Sequence, residues 1–91
     1  MVVVVAKHFV PAERREEYIG MMKKFVKDTN DFDRGCILFE LYESEENPNV
    51  ITVIEKWEDA DCIDEHKLAP HFTAVLPQFV EKRDVTRYIS L

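Results

Sequence analysis

The sequence predicts an α+β domain in which helices cover one face of a four-stranded antiparallel sheet. Three observations support this fold class. First, residues 36–44 and 50–57 are apolar, strand-like runs separated by Glu45, Glu46, Asn47, Pro48 and Asn49. That is the pattern of an antiparallel hairpin, with Pro48 fixing one φ angle in the turn. Second, residues 2–10 and 80–91 supply a further strand-like run at each end. Third, helix-period segments fill the intervals on either side of the hairpin, giving the order strand, helix, strand, strand, helix, strand.

Val2 to Val10 is β-branched with almost no polar residue, the composition of a strand buried on both faces, and Val2, Val4, Ala6 and His8 share one face. Pro11 fits the first helical position, where its missing N–H costs nothing. Glu13, Glu16 and Glu17 follow at the end of the helix that favours negative charge. Tyr18, Met21, Met22, Phe25 and Val26 recur at helical spacing and lay one stripe on a core; Gly20 inside the helix costs about 1 kcal/mol relative to Ala. Lys23, Lys24 and Lys27 lie near the helix end, and Asp28 to Gly35 is expected to be the turn out of it. In the second strand Cys36, Leu38, Glu40 and Tyr42 point one way, and Ile37, Phe39 and Leu41 the other. In the third, Ile51, Val53, Glu55 and Trp57 oppose Val50, Thr52 and Ile54.

Both hairpin faces are therefore apolar, whereas a chain this short has helix enough for one. A second copy is expected to cover the other face, making a homodimer. Trp57 to Phe79 is read as two short helices, the first capped by Glu58 or Asp59 and the second begun by Pro70. Pro77 ends or kinks the second. Val80 to Leu91 alternates as a final strand, with Lys82, Arg83, Asp84 and Arg87 marking partial exposure. The whole is the ferredoxin-like βαββαβ arrangement, a single domain over residues 1–91.

Composition narrows the function classes. The chain is 46% hydrophobic and 33% charged, as in an ordinary globular protein. Its net charge of −6, with no block of Lys and Arg, argues against nucleic acid or an anionic membrane as partner. Cys36 and Cys62 lie far apart without CxxC spacing, so neither a zinc site nor a disulfide framework is indicated. The opening MVVVVA has no preceding basic segment and ends early at Lys7 and His8, so a cytoplasmic, reducing location is expected rather than export. Gly20 and Gly35 are the only glycines, which excludes a dinucleotide turn.

The candidate chemistry concentrates between Asp33 and Phe72. Glu55 falls on the same face as Val53 and Trp57, where a carboxylate must be paired or have its pKa raised by desolvation. It is a base, an orienter of histidine, or a structural partner for Lys or Arg, and Glu40 on the neighbouring strand has the same ambiguity. His66 and His71 titrate near neutral pH and can move protons; surface histidines are the alternative. Their i, i+5 spacing, interrupted by Pro70, does not place both rings on one helical face, so no metal site is expected. His8 joins the same pocket if its strand face turns toward the helices. Cys36 is read as a buried, inert thiol.

Gly35-Cys36, Phe39 to Ser44 (FELYES), Asn47-Pro48, Glu55 to Trp57 (EKW), Ala60, His66 and His71-Phe72 together resemble the antibiotic biosynthesis monooxygenase family, close to the small quinol monooxygenases. The resemblance spans essentially the whole chain. It implies a dimeric α+β barrel, the sheets packed face to face, with a pocket in each subunit between sheet and helices. It also implies oxygenation of hydroquinone or polyphenol-type substrates by O2 without any cofactor. Such chemistry needs a dry aromatic pocket and a base that removes a phenolic proton. On this resemblance His66 or His71 is the base and Glu55 orients it or compensates its charge. Trp57, Phe39, Tyr42, Phe72 and His8 line the pocket or its mouth. Haem-degrading relatives use Asn, Trp and His, a set this chain does not match, with His8 where that Asn would lie. Other relatives isomerise a phosphorylated sugar, which keeps a non-oxidative isomerase or binding protein as the alternative. The oxygenase reading expects an apolar, histidine-rich pocket without an anion site, whereas the alternative, in its phosphate-handling form, expects a basic cluster at the pocket that uses Lys67 or Arg34.

Overall fold

A computed structural model describes residues 1–91. Strand β1 (Val2–Phe9) leads through a short turn of 3-10 helix at Ala12–Arg14 into helix α1 (Arg15–Phe32). The hairpin β2 (Cys36–Glu43) and β3 (Val50–Trp57) follows, then helices α2 (Ala60–Leu68) and α3 (Pro70–Val75), a 3-10 turn at Leu76–Gln78, and β4 (Arg83–Ile89). The sheet is antiparallel in the order β2-β3-β1-β4, the ferredoxin-like topology expected from the sequence.

Alternation decides which side chains meet the helices. Val2, Val4, Ala6 and His8 from β1, with Ile51, Val53, Glu55 and Trp57 from β3, are all buried. From α1 the buried stripe is Tyr18, Met22, Phe25 and Thr29, spaced four, three and four residues apart. Large side chains buried to this degree, such as Trp57, Met22 and Ile51, each contribute roughly 1.5–3 kcal/mol of transfer free energy. The other sheet face is left uncovered by helix. Val3, Val5, Phe9, Leu38 and Ile54 on it are half-buried, and Tyr42 and Tyr88 are exposed.

Three local expectations change. Helix α1 does not stop near Asp28 but runs to Phe32, so Asp33 is its C-cap residue, its N–H bonded to Thr29 O at 3.1 Å. The i, i+4 pairs Lys24–Asp28 and Lys27–Asp31 support the extra turns. Asn30 helps too: its side-chain amide donates to Val26 O at 3.0 Å and to Phe39 O at 2.9 Å, tying the helix to β2. The second change is a register shift between Cys36 and Leu38. Cys36 stands opposite Trp57 and Leu38 opposite Lys56, so Ile37 is a bulge and Cys36 does not share a face with Leu38. Pro11 sits one step outside its expected place, preceding the 3-10 turn rather than beginning α1.

The turn between α1 and β2 depends on Gly35, whose φ is +75°. A Cβ there would lie 2.2 Å from Cys62 Sγ, so the backbone passes directly against α2. That close approach places the end of α1 beside the histidine-bearing helix. Asp59 caps α2 as expected, its carboxylate accepting the Cys62 N–H at 3.0 Å.

Candidate active site

Between the helix-facing side of the sheet and α2–α3 lies a cavity of about 390 Å³. Its apolar wall includes Val4, Ala6, Phe25, Phe39, Val53, Phe72 and Phe79; its polar groups are His8, Glu55, His66, Lys67, Arg83 and Arg87. Strand register sets much of the layout. Arg87, Val4, Glu55 and Phe39 stand in one cross-strand row, and Arg83, His8 and Ile51 in another.

His66 lies in the last turn of α2, where Ala69 breaks the helix and Pro70 restarts the chain as α3. This break swings His71 back toward His66, with ring centroids 6.2 Å apart. Both rings converge on the Asp33 carboxylate: His66 Nδ1–H donates to Oδ2, and His71 Nε2 lies 2.8 Å from Oδ1. The second contact has ion-pair distance without hydrogen-bond alignment, and His71 Nε2 is buried with no aligned partner. His66 and His71 therefore converge despite their i, i+5 spacing, because the chain between them is two helices and not one continuous helix. Asp33, His66 and His71 bring their ligating atoms within 4.8 Å of one another and are the set in this chain able to hold a metal ion.

Asp33 fixes the histidine's usable nitrogen. With Nδ1 committed to the carboxylate, His66 has Nε2 left for the cavity it lines. Burial holds its pKa below the ordinary value, with Asp33 acting in the opposite direction. The imidazole is thus neutral near pH 7 and able to accept a proton at Nε2. Trp57, Phe72 and Phe39 surround the ring, at centroid distances of 4.8, 5.0 and 5.5 Å.

Glu55 serves a different neighbour from the one expected. Its Oε1 accepts the Trp57 Nε1–H at 2.9 Å, so the carboxylate orienting His66 is Asp33, not Glu55. Burial pushes Glu55 up to about 7, only partly offset by the Trp57 hydrogen bond and by the Lys67 and Arg87 charges. His8 does face the cavity. Its Nδ1 is 2.6 Å from Tyr18 Oη, which accepts the Val80 N–H at 3.1 Å. The buried phenolic proton has His8 Nδ1 as its acceptor, which leaves His8 with its own proton on Nε2. Burial, helped by Arg83, lowers the His8 pKa to about 4, so it is a neutral donor.

Of the remaining sequence candidates, Phe39 and Phe72 line the cavity. Trp57 is fully buried behind His66 and Glu55 rather than on the cavity wall. Tyr42 is exposed and donates to Glu40 Oε2 at 3.0 Å, away from the cavity. His71 opens instead on an outer cleft with Lys24, Asp28, Phe32 and Pro70. From sequence Asp33, Tyr18, Arg83 and Arg87 had no role in the site: Tyr18 reads as part of the core stripe, and Arg83 and Arg87 as partly exposed strand positions. The alternation of Arg83, Val85 and Arg87 was a readable signal that the two arginines share a face. Asp33 had none, because its role depends on where α1 ends.

The sequence profile of the family described as antibiotic biosynthesis monooxygenase matches residues 1–78. The chain belongs to the antibiotic biosynthesis monooxygenase family. Solved structures agree on the family's fold. A conserved protein from Methanosarcina mazei is 28% identical, with a TM-score of 0.89 over 96% of this chain and 89% of its own. A Shewanella oneidensis protein is also 28% identical, with a TM-score of 0.86 over 96% of this chain and 87% of its own. A putative antibiotic biosynthesis monooxygenase from Nitrosomonas europaea has a TM-score of 0.87 at 18% identity, over 100% of this chain and 99% of its own. No curated protein matches the chain by sequence.

Proposed function

We propose that this family member is a monooxygenase that uses O2 to oxidise a small electron-rich aromatic, of hydroquinone or polyphenol type, in the inner cavity and without a cofactor. The observation that supports this best is the Asp33–His66 pair at the wall of an aromatic-lined cavity. His66 Nε2 takes a phenolic proton, and Asp33 stabilises the imidazolium that forms. The electron-rich phenolate then reduces O2; one oxygen atom enters the ring and the other leaves as water. His71 Nε2 sits beside the second oxygen of Asp33. His8 Nε2–H is a donor for a substrate oxygen.

The test is oxygen uptake by metal-stripped protein across a panel of hydroquinones and polyphenols. Uptake is expected to exceed autoxidation, to survive chelator, and to fall roughly 100-fold or more in His66→Ala and Asp33→Asn. In Asp33→Asn an NH2 group replaces one acceptor oxygen, which misorients the imidazoles. Uptake that is absent in folded native protein, or unchanged in both variants, overturns the reading.

One observation favours the non-oxidative alternative, an isomerase or binding protein: Lys67, Arg83 and Arg87 do form a basic cluster at the cavity. Arg34 is not part of it, being paired with Glu65 at 2.9 and 3.0 Å. Homodimerisation through the helix-free sheet face, and a cytoplasmic location, belong to the same proposal. Ile54→Lys, in the middle of that face, is expected to halve the sedimenting mass of the native protein. A monomeric native protein refutes the dimer.

A further inference from the structure

We infer that the ligand of the inner cavity carries an anionic oxygen group, a carboxylate or a phosphate ester, that docks on Arg83, Arg87 and Lys67. The inference rests on the reading of this cavity as the substrate site, and it names the class of substrate. The chain has 18 acidic and 12 basic residues, yet three cations and a single carboxyl group, Glu55, line the cavity. None of the three cations is in an ion pair; the chain's bridges engage Arg15, Lys24, Lys27, Arg34, His66 and His71. The local balance of charge is thus opposite to that of the whole molecule, with Glu55 the one carboxyl group facing the three cations and in ion-pair contact with none of them.

The layout fits an aromatic ring with an anionic substituent. Phe25, Phe39, Phe72 and His66 gather on one side of the cavity, within 6 Å of one another along the chain of neighbouring rings. Arg83 and Arg87 come from the edge strand β4, opposite His8 and Val4 respectively, with Val85 between them. At about 3.4 Å per residue the two backbones are roughly 14 Å apart. A ring seated beside His66 therefore directs a substituent toward β4, where guanidinium groups offer paired N–H donors to planar or tetrahedral oxyanions. Arg83 also covers the Phe79 ring, 5.3 Å from its centroid, which holds the cation at the cavity wall. A neutral hydroquinone would leave all three cations unmatched.

Anaerobic calorimetry separates the possibilities without relying on turnover. The 91-residue chain is titrated with hydroquinone, 2,5-dihydroxybenzoate and phenyl phosphate at low and high salt. An anionic ring is expected to bind roughly tenfold or more tightly than hydroquinone, with the advantage shrinking as salt screens it. In an Arg83→Gln/Arg87→Gln double variant the anionic-to-neutral affinity ratio should fall toward one, with circular dichroism confirming the fold. Preference for the carboxylate or for the phosphate assigns the anion. Equal affinity for neutral and anionic rings overturns this inference and leaves the proposed oxygenation standing. Anion-selective binding with no oxygen uptake does the reverse. If no ring binds, both readings fall.

Discussion

Replacing Glu55 by Gln removes a titration while keeping the shape of the side chain. Glu55 is 9% exposed, and burial lifts its carboxyl from 4.5 to about 7. A folded-state pKa above the unfolded one means that the native chain holds a proton the unfolded chain has released. Stability is therefore fullest below about pH 4.5 and is lost as pH rises to about 7. At 1.36 kcal/mol per pKa unit, the complete loss is about 3 kcal/mol. The Gln amide has no such titration, and its oxygen still accepts from Trp57 Nε1–H. Urea unfolding of the native chain and Glu55→Gln at pH 5 and pH 8, at one protein concentration, checks this. The variant should gain roughly 2–3 kcal/mol on the native chain between the two pH values. His8 titrates in an overlapping range, with its pKa at about 4, but is common to both proteins and cancels in the difference. Parallel pH dependence in the two proteins refutes the assignment of a buried, proton-holding Glu55.

Other perturbations test the scaffold around the site. Gly35→Ala combines a left-handed backbone with a Cβ 2.2 Å from Cys62 Sγ, and is expected to destabilise by roughly 2–5 kcal/mol in thermal unfolding. A loss below about 1 kcal/mol contradicts the close α2 approach. Tyr18→Phe deprives both His8 Nδ1 and the Val80 N–H of a buried partner, and should cost roughly 1–3 kcal/mol. A melting temperature equal to the native value counts against that bridge. Cys36 is half-buried rather than fully buried as expected; that partial burial, its main cause, pushes the thiol up to about 11, so it should resist a thiol reagent at pH 8, and rapid modification of the native protein speaks against the shift.

Much of this molecule was legible from its residues because alternation and helical period are local. Val2, Val4, Ala6 and His8 had to share a face once they were in a strand, as did Ile51, Val53, Glu55 and Trp57, and those eight are buried. Asp59, Pro48 and Pro70 marked a cap, a turn and a helix start by local chemistry alone. The bulge at Ile37 was not legible, since it depends on how β2 meets β3 rather than on β2 itself.

The site divides along the same line. The sequence by itself determined the order of strands and helices along the chain, which strand residues share a face, and the candidacy of His66, His71 and Glu55, all consequences of short-range pattern. Only the tertiary structure decided that α1 carries Asp33 to the break between α2 and α3, where both histidines converge on it. It likewise decided that Glu55 bonds to Trp57 and that β4 brings two arginines to the cavity of an acidic protein. Asp33 and His66 are 33 residues apart, and no local propensity encodes their meeting. It arises from packing, because Gly35 lets the chain pass against Cys62 and so fixes one helix end beside the other.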